Sequence, residues 1–451
     1  MAAKKLKLGM FLRPGGHHIA SWRHPLGQAD AGVNFPHFVE MVKIAERGLF
    51  DLLFSADSHT VFTTDESAIE RVHYTAWMEP YTLLSALACH TKNIGLVCTA
   101  NTTFEQPYIV ARKFATLDLI SGGRSGWNMV TSGNETEIQN FRKGQNLPKA
   151  ERYKRGREFI EVVRGLWDSW DEDAFIRNKE TGIFFDRSKM HVLNHHGAYY
   201  DVRGPLNVAR SPQGQPVLVQ AGGSDDGRQL AAETAEVVFT ASDTIEHARE
   251  YYADVKGRMA RIGRAPDELK VLPGLLVLVA PTRAEAIAKF QALQDLVQPE
   301  LGLALMSRRI GFDLSKFPLD EPLPQLPEYQ NDSRSEMIKA WSGQGAPTLR
   351  ELCLRFASSR GHSSIIGTAA DVADVMENWL VTEACDGFNV LPPYFNAGLV
   401  DFVDLVVPEL QRRGIYRSDY EGATLRQNLE LPVPTSRHAV PARKSAVAAA
   451  Q

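Results

Sequence analysis

The sequence predicts an α/β fold, a (β/α)8 TIM barrel with insertion segments over the C-terminal face of the barrel. Two observations lead to this prediction. Short, continuously apolar segments alternate with longer amphipathic segments along most of the 451 residues, which is typical of parallel strands that helices cover on both faces. About eight such strands can be counted, and a closed barrel accounts for that number more simply than an open sheet does.

The first half of the chain contains four of the predicted strands, each a short apolar run. Apolar residues recur at helical spacing between them, and one of these helices has clear ends. Pro107 stands at its first position, where the missing N–H of proline does no harm, and Gly122 follows its last residue. The predicted strands are 6–12, 51–56, 94–100 and 126–130, and the predicted helices are 35–50, 107–121 and 150–170.

The same alternation continues in the second half of the chain after a polar interval. The pattern again pairs short apolar runs with amphipathic segments, as expected for further strand and helix units of one barrel. The predicted strands are 216–220, 236–240, 269–280, 365–366 and 387–391, and the predicted helices are 226–235, 245–262, 284–297, 371–384 and 399–414.

Two long segments interrupt the alternation. Residues 171–212 are rich in Asp, Asn, His and Gly, and residues 298–346 are rich in Pro, Ser and Gln. Irregular segments of this length inside a compact domain are usually lids or small subdomains, so we expect insertions over the mouth of the barrel. Residues 1–431 then form the barrel domain, and residues 432–451 form a flexible tail or an arm on a partner subunit.

The charge balance indicates what kind of partner the protein binds. Fifty Lys and Arg residues face 54 Asp and Glu residues, which gives a formal charge of −4, and 44% of the residues are hydrophobic. This is the composition of an ordinary globular protein. Because no long basic stripe is present, nucleic acid and an anionic membrane surface are disfavoured, and a small-molecule substrate is favoured.

Cysteine usage and the apolar segments predict the compartment. Four scattered cysteines without a CxxC pair predict free thiols in a reducing compartment. Basic residues before the first strand resemble a signal peptide, but Arg13 and Pro14 interrupt the apolar run and no small-residue cleavage site follows. No apolar stretch approaches the ~20 residues that span a bilayer. We therefore expect a cytoplasmic protein. The cysteines are Cys89, Cys98, Cys353 and Cys385.

Polar residues after the predicted strands are the candidates for a functional site, because reactive groups of a parallel barrel lie at the C-terminal ends of its strands. Most of them are neutral hydrogen-bonding groups, and few are carboxylates. Such a set suits a large polar cofactor better than acid–base hydrolysis or metal binding. The candidates are 15–18, Asp57 and His59, 101–103, 128–132 and 222–224.

Histidines near the first strand raise the question of a metal ion. His17 and His18 are adjacent at a strand end, so their side chains point in opposite directions. His24 lies further along the loop, and Asp57 or His59 would have to complete a ligand set from another loop. We therefore predict no metal site and interpret these histidines as structural or substrate-facing.

The segment GGSDDG at 222–227 is a candidate phosphate site. It follows a strand and precedes a helix, whose first N–H groups could bind a phosphate. The spacing matches neither GxGxxG nor a Walker loop, so an ordinary glycine-rich turn is an equal alternative. Its position in the later half of the barrel favours the phosphate site. Tyr153, beside Arg152 and Arg155, could donate a hydroxyl to the same phosphate, or it could pack against a neighbouring helix.

Several longer segments carry a family resemblance that covers nearly the whole chain in order. The most specific are GWNMVTS at 126–132 and VVPELQRRG at 406–414. The others are FLRPGGHHIASWRHP (11–25), FDLLFSAD (50–57), QNFRKG (139–144), ERYKRGREF (151–159) and QAGGSDDGRQLAAETAEVVF (220–239). With these segments the chain resembles the nitrilotriacetate monooxygenase group of the bacterial luciferase-like, FMN-dependent monooxygenase superfamily.

The resemblance implies a two-component flavin-dependent monooxygenase. Such an enzyme uses FMNH2 from a separate NAD(P)H-dependent flavin reductase and O2, and it oxygenates a small organic substrate at a C–N, C–S or C–H bond through a C4a-(hydro)peroxyflavin. The cofactor carries the oxygen chemistry, so no catalytic triad is expected. A deazaflavin- or flavin-dependent reductase or dehydrogenase of the same superfamily, or a non-catalytic flavin-binding protein, remains an alternative. Pairing through outer helices would give a homodimer or homotetramer.

The resemblance also implies roles for individual residues. His17 and His18 are the catalytic candidates, since a histidine tuned near neutral pH could shuttle the proton of the peroxide. Residues facing the substrate would be Trp22, His24 and His59. Residues contacting FMN would be Asp57 and Thr103 near the isoalloxazine, Tyr153 and Ser224 at the phosphate, and Asn128 and Gly223.

Two positions depart from the family pattern. Lys149 stands where many relatives have a His, four residues before Tyr153, and it could pair with phosphate as a point charge. The usual Gly-Ser-Ser turn is 222–224, Gly-Gly-Ser, so backbone replaces one hydroxyl contact.

Overall fold

A computed structural model describes residues 4–61, 68–141, 146–310, 312–323, 341 and 346–439. Eight parallel strands close into a barrel, in which the order around the ring is β1-β2-β3-β4-β7-β8-β9-β11 and β11 pairs again with β1. The predicted TIM barrel is therefore confirmed. Its strands are β1 (Lys7–Leu12), β2 (Leu52–Ser55), β3 (Gly95–Asn101), β4 (Ser125–Val130), β7 (Val217–Gln220), β8 (Val237–Thr240), β9 (Lys270–Val279) and β11 (Gly387–Leu391).

One strand position of the ring is shared by two segments. Strand β9 has ten residues, and its first four pair with β8. Its last five pair on the same side with β10 (Ser363–Gly367), and the Ser363 N–H donates to the carbonyl of Ser242 just beyond β8. The strand predicted at 365–366 is therefore β10, which extends the line of β8 upward and raises the wall of the barrel at this point.

Helices cover the outside of the barrel, and most follow the predicted alternation. The helix predicted at 107–121 begins at Pro107 and ends before Gly122, whose φ of 69° is left-handed. The helices are α1 (Phe35–Arg47), α2 (Pro80–Ala88), α3 (Pro107–Ser121), α4 (Glu135–Ile138), α5 (Lys149–Trp167), α6 (Asp225–Thr234), α7 (Ile245–Arg261), α8 (Arg283–Gln294), α9 (Pro299–Ile310), α10 (Leu349–Ser359), α11 (Ala369–Val381), α12 (Ala397–Asp401), α13 (Val407–Arg412) and α14 (Leu425–Asn428).

The helix predicted at 399–414 is not one continuous α-helix. A π-helical segment, Phe402–Val406, separates α12 from α13. Pro408 lies in the first turn of α13 and has no N–H to donate to the preceding turn. A wider turn before the proline accommodates this missing hydrogen bond, so the chain continues in the same direction.

The two predicted insertions lie in different places. The first contains a short hairpin of β5 (His195–His196) and β6 (Asp201–Val202), and it runs along the outside of α5. There the Glu158 carboxylate accepts hydrogen bonds from three backbone N–H groups at 198–200. The second contributes α9, which packs on α10 beside the loop after β1 and residues 68–77, with a separate apolar core. This second unit stands at the mouth of the barrel.

The C-terminal segment closes the opposite end of the barrel. Leu425 and Leu429 of α14 join the apolar interior beneath β3 and β4. Arg426 between them is fully buried, pairs with Glu236 and donates to the carbonyls of Gln215 and Pro432. The described part of the tail reaches 439. Among the described residues, no helix has both the length and the apolar character needed to cross a bilayer.

Replacing Arg426 with Met should destabilise the protein. The change leaves the Glu236 carboxylate without its cation, and breaking a buried ion pair by removing one partner costs about 3–5 kcal/mol. Urea unfolding followed by circular dichroism measures the effect. Arg412→Met is the matched control, because the Arg412 side chain is exposed and its pair with Glu409 should contribute less than about 1 kcal/mol. Equal effects of the two substitutions would contradict a role of Arg426 in closing the barrel.

Candidate functional site

A cavity of about 370 Å³ opens at the C-terminal ends of β1, β2 and β8. Half of its described lining residues are apolar. Two of them, Phe11 and Phe239, form a cluster with Phe54 behind them, in which the ring centroids are 5.2 to 5.5 Å apart. The second insertion contributes Leu305 to the lining. The described lining residues with polar side-chain atoms are Arg13, His17, Ser55, Asp57, Ser58, Thr60, Tyr74, Trp77, Arg360 and His362.

Asp57 follows β2 and lines this cavity. Its Oδ2 lies 3.7 Å from Nε2 of His59, whose ring meets the stacked rings of Phe104 and Phe141 edge to face. Burial raises the pKa of the Asp57 carboxyl, and the neighbouring His59 ring opposes that shift. The structure thus brings together two of the predicted site residues.

A buried carboxylate, Glu137, ties the loops after β2, β3 and β4 together. It accepts hydrogen bonds from the Ser58 hydroxyl at 2.7 Å, from the His59 N–H at 3.2 Å and from the Ser132 hydroxyl. The predicted Thr103 belongs to the same network, because its hydroxyl donates to the carbonyl of Ser132 at 3.4 Å. These contacts fix the positions of Asp57 and Thr103 relative to each other.

The turn between β7 and α6 forms a second part of the site. The hydroxyl oxygens of Tyr153 and Ser224 are 3.4 Å apart, and Ser224 caps α6 by accepting the Gly227 N–H. A Cβ at Gly227 would stand 3.0 Å from Cα of Gly222 and 3.3 Å from the Tyr153 hydroxyl. The turn is therefore a cradle that side chains at 222 and 227 would fill, with two hydroxyls and a helix N-terminus at its edge.

Two residues at this turn, Gly223 and Lys149, make contacts within the chain that the sequence did not predict. Gly223 accepts a hydrogen bond from the Arg228 side chain through its carbonyl. Lys149 is 3.5 Å from Asp226, and both side chains are about half exposed. The Lys149 charge is therefore shared with a carboxylate beside the turn.

Helix α5 connects the two parts of the site. Arg155 in its second turn donates to the carbonyl of Thr103 at 2.9 Å, while Tyr153 of the same helix reaches Ser224. Gly156 allows close packing, because a Cβ there would lie 3.0 Å from Thr131. One rigid helix thus sets the distance between the Asp57 end and the Ser224 end.

Two buried amide oxygens near the site have no hydrogen-bond partner. Asn128 on β4 donates to the Thr99 hydroxyl at 2.8 Å, but its Oδ1 accepts nothing. Gln220 at the end of β7 lies under Gly222, and its Oε1 is also unpartnered. Since buried polar atoms are normally hydrogen-bonded, these two acceptors suit N–H or O–H donors of a bound molecule.

His17 and His18 have different environments. His17 lines the cavity, donates from Nε2 to the carbonyl of Ser359 at 3.4 Å, and has no partner at Nδ1. Burial, and then the charges of Arg360, His362 and Arg13, hold its pKa well below the usual value. His18 faces α8 instead, where its Nε2 is 3.1 Å from the Gln294 side-chain oxygen, and its Nδ1 accepts the Ala20 N–H.

Trp22 and His24 lie apart from the described cavity lining. Trp22 is in a one-turn helix, Ser21–Arg23, and is half-buried. The His24 ring stacks on Tyr394 with centroids 4.3 Å apart. Of the residues predicted to face the substrate, His59 is the one beside Asp57.

Sequence reasoning missed several site residues. Arg13 follows the last residue of β1, so its position could have indicated a place at the mouth. Arg360 follows α10, and Glu137 lies in α4, where only the folded structure shows that they are buried. The described residues contain no cluster of three His, Cys, Asp or Glu side chains arranged for a metal ion.

Comparison with known proteins places these features in a family. A family model described as luciferase-like monooxygenase matches residues 16–382. N-acetyl-S-(2-succino)cysteine monooxygenase of Bacillus subtilis (strain 168) is 49% identical over 440 residues, covering 97% of this chain and 99% of that protein. Nitrilotriacetate monooxygenase component A of Aminobacter aminovorans is 46% identical over 450 residues, covering 98% and 99%. Riboflavin lyase, crystallised with modified FMN and the substrate riboflavin, superposes with a TM-score of 0.84 at 30% identity, covering 94% and 96%.

The buried histidines predict how stability depends on pH. Burial lowers the pKa of His18 from 6.5 to about 4, so between these values the unfolded chain binds a proton that the folded protein does not. The contribution of His18 to the free energy of unfolding is therefore fully present above pH 6.5. It is lost as the pH is lowered, by up to about 1.4 kcal/mol per pH unit for one such group.

Chemical unfolding of wild type and His18→Asn between pH 7 and pH 4.5 tests this expectation, and the variant should show a shallower loss. His90→Asn, at an exposed position, is the control and should follow the wild type. A slope that His18→Asn does not change would contradict a neutral, buried His18.

Proposed function

Because the chain belongs to the luciferase-like monooxygenase family, we propose that it is the oxygenase component of a two-component system that uses FMNH2 and O2. The observation that carries the proposal is a chain of contacts. It runs from Asp57 to Thr103 by way of His59, Glu137 and Ser132, and from Thr103 through α5 to Tyr153 and Ser224. It combines a helix N-terminus and hydroxyls at one end with an apolar cavity at the other. A phosphate-bearing flavin requires that combination.

The residues present fit FMN. Tyr153 and Ser224 would hold the phosphate at the start of α6, where the helix dipole favours an anion. The unpartnered Oδ1 of Asn128 would accept an N–H of the flavin, and Asp57, Thr103 and Gly223 would complete its contacts. Reduced FMN bound here would supply the two electrons that dioxygen needs, so that one oxygen atom would enter the substrate and the other would leave as water.

The chain itself positions the reactants and keeps the site dry. The apolar residues of the lining, Phe11 and Phe239 among them, would limit the access of bulk water, which would divert a reactive oxygen species into side reactions. His17 is neutral at pH 7 and holds its proton at Nε2 against the Ser359 carbonyl, so its Nδ1 can accept a proton inside the cavity. His18, by contrast, would act by fixing the loop after β1.

The substrate and partners follow from the same assignment. We propose a small organic substrate oxygenated at a C–N, C–S or C–H bond. One similar protein is named for nitrilotriacetate and another for an S-substituted cysteine. The designation component A for the former supports a separate NAD(P)H-dependent flavin reductase as a functional partner. We further propose a cytoplasmic homodimer or homotetramer, with residues 1–431 as the barrel domain and 432–451 as its tail.

The phosphate contacts can be tested by binding. Tyr153→Phe combined with Ser224→Ala should weaken FMN binding by about 1–3 kcal/mol, because hydrogen bonds to a charged group are lost. Quenching of FMN fluorescence gives the dissociation constant. Tyr108→Phe combined with Ser85→Ala removes two hydroxyls elsewhere and should leave it unchanged. If the first pair binds FMN as wild type does, the phosphate lies in another place.

Reconstitution separates the proposed activity from its alternatives. With FMN, NADH and an added flavin reductase, the protein should consume oxygen and form an oxygenated product from a panel of amines, thioethers and hydrocarbons. A reduced deazaflavin should not replace FMN. Conversion of all consumed oxygen to hydrogen peroxide across the panel would argue for a flavin-binding protein, and oxygen-independent reduction of a substrate would argue for a reductase.

A further inference from the structure

Arg360 is a partly buried residue whose guanidinium has no described carboxylate beside it. It follows α10, adopts a left-handed φ of 52°, and lines the cavity described above. Its Nε and Nη2 atoms are shielded from solvent and have no hydrogen-bond partner, and no described carboxylate pairs with it. A guanidinium remains charged even when burial lowers its pKa. Such a group is costly in a folded protein unless something else satisfies it.

Tyr74 holds Arg360 in place through its ring and through a side-chain hydrogen bond, but Nε and Nη2 of the guanidinium have no partner. The guanidinium carbon of Arg360 lies 4.6 Å from the centroid of Tyr74, and that of Arg13 lies 4.5 Å from the same ring. Stacking of this kind uses the face of the guanidinium plane and leaves its edge available for hydrogen bonds. His17, whose Nδ1 also has no partner, lines the same cavity. This part of the lining therefore combines positive charge with atoms of Arg360 and His17 that lack a hydrogen-bond partner.

The charges of the cavity lining are unequal. Asp57 is the only carboxylate among its described lining residues, whereas Arg13 and Arg360 are both cations. The lining also contains aromatic and aliphatic side chains, for example Phe356 and Met78. A molecule that fills the cavity would place an anionic group at a cation such as Arg360 and its uncharged part against the apolar residues.

We propose that Arg360 binds a carboxylate of the substrate and selects anionic substrates over neutral ones. The edge of a guanidinium matches a carboxylate through two parallel hydrogen bonds. The inference rests on the proposed function for the identity of the site, but the anion contact itself does not require a bound flavin. Arg360 is thus a specificity-determining residue of the cavity.

Calorimetric titration of the full-length protein with succinate tests the contact directly. Succinate should bind, and succinamide, which has the same shape without charge, should bind at least about tenfold more weakly, the change expected when a charged hydrogen-bonded pair is lost. Arg360→Met should weaken succinate binding by at least a similar factor. Arg360→Lys should fall between, since a lysine offers a charge without the fork. Arg249→Met, an exposed change on α7, should bind succinate like wild type.

Three results would overturn the proposal: no succinate binding to wild type, equal binding of succinamide, or wild-type succinate affinity in Arg360→Met. Thermal unfolding of the same variants excludes a purely structural role. Arg360→Met removes a buried charge that has no carboxylate partner, so its midpoint should equal or exceed that of wild type. A lowered midpoint with unchanged succinate affinity would mean that Arg360 only supports the packing of Tyr74.

The same variants distinguish this proposal from the proposed function. FMN binding that persists in Arg360→Met while succinate binding is lost supports both assignments. Failure of wild type to bind FMN, with succinate binding still dependent on Arg360, would contradict the flavin assignment alone. FMN binding with succinate affinity independent of Arg360 would contradict the anion contact alone.

Discussion

Parallel closure of the barrel is the constraint on which the rest of the structure depends. All eight strands run in one direction, so eight loops meet at one rim, and their side chains share one small volume. Loops separated by tens of residues in sequence are there linked by a few hydrogen bonds, as Glu137 shows by contacting Ser58, His59 and Ser132. The long strand β9 adds height to this rim through β10, and the second insertion encloses it.

The apolar half of the cavity lining makes its polar groups informative. A charged or unpartnered polar group in an apolar setting lowers stability unless a partner compensates it, and the protein keeps Asp57, Arg360 and the neutral His17 there nonetheless. At the opposite end of the barrel the buried charge of Arg426 is paired within the chain with the Glu236 carboxylate, although its Nε has no partner. The contrast between the two ends therefore separates ion pairs that hold the fold from groups that we propose to contact a ligand.

The sequence could predict much of the fold because local patterns carry it. Apolar runs mark β1 to β4, and Pro107 and Gly122 mark the ends of α3, since each of these signals is local. The break at 402–406 was not predicted, because it depends on how the chain accommodates Pro408 within a packed helix. The same distinction between local sequence signals and tertiary packing applies to the residues of the site. Strand-end position and family resemblance point to Asp57, Tyr153 and Ser224, whose contacts the structure shows, whereas the burial of Glu137 and Arg360 arises only from tertiary packing.

The electrostatics of the cavity also connect the anion contact to the proton-accepting group. Arg360 is the largest charged influence that keeps the pKa of His17 low, after burial itself. A carboxylate bound at Arg360 would cancel much of that charge at short range, and in a medium of low dielectric the effect on a neighbouring ring is large. The pKa of His17 would then rise toward neutrality when an anionic substrate is present. Proton acceptance at Nδ1 would therefore be favoured in the complex more than in the empty cavity, so the reactive arrangement would form together with substrate binding.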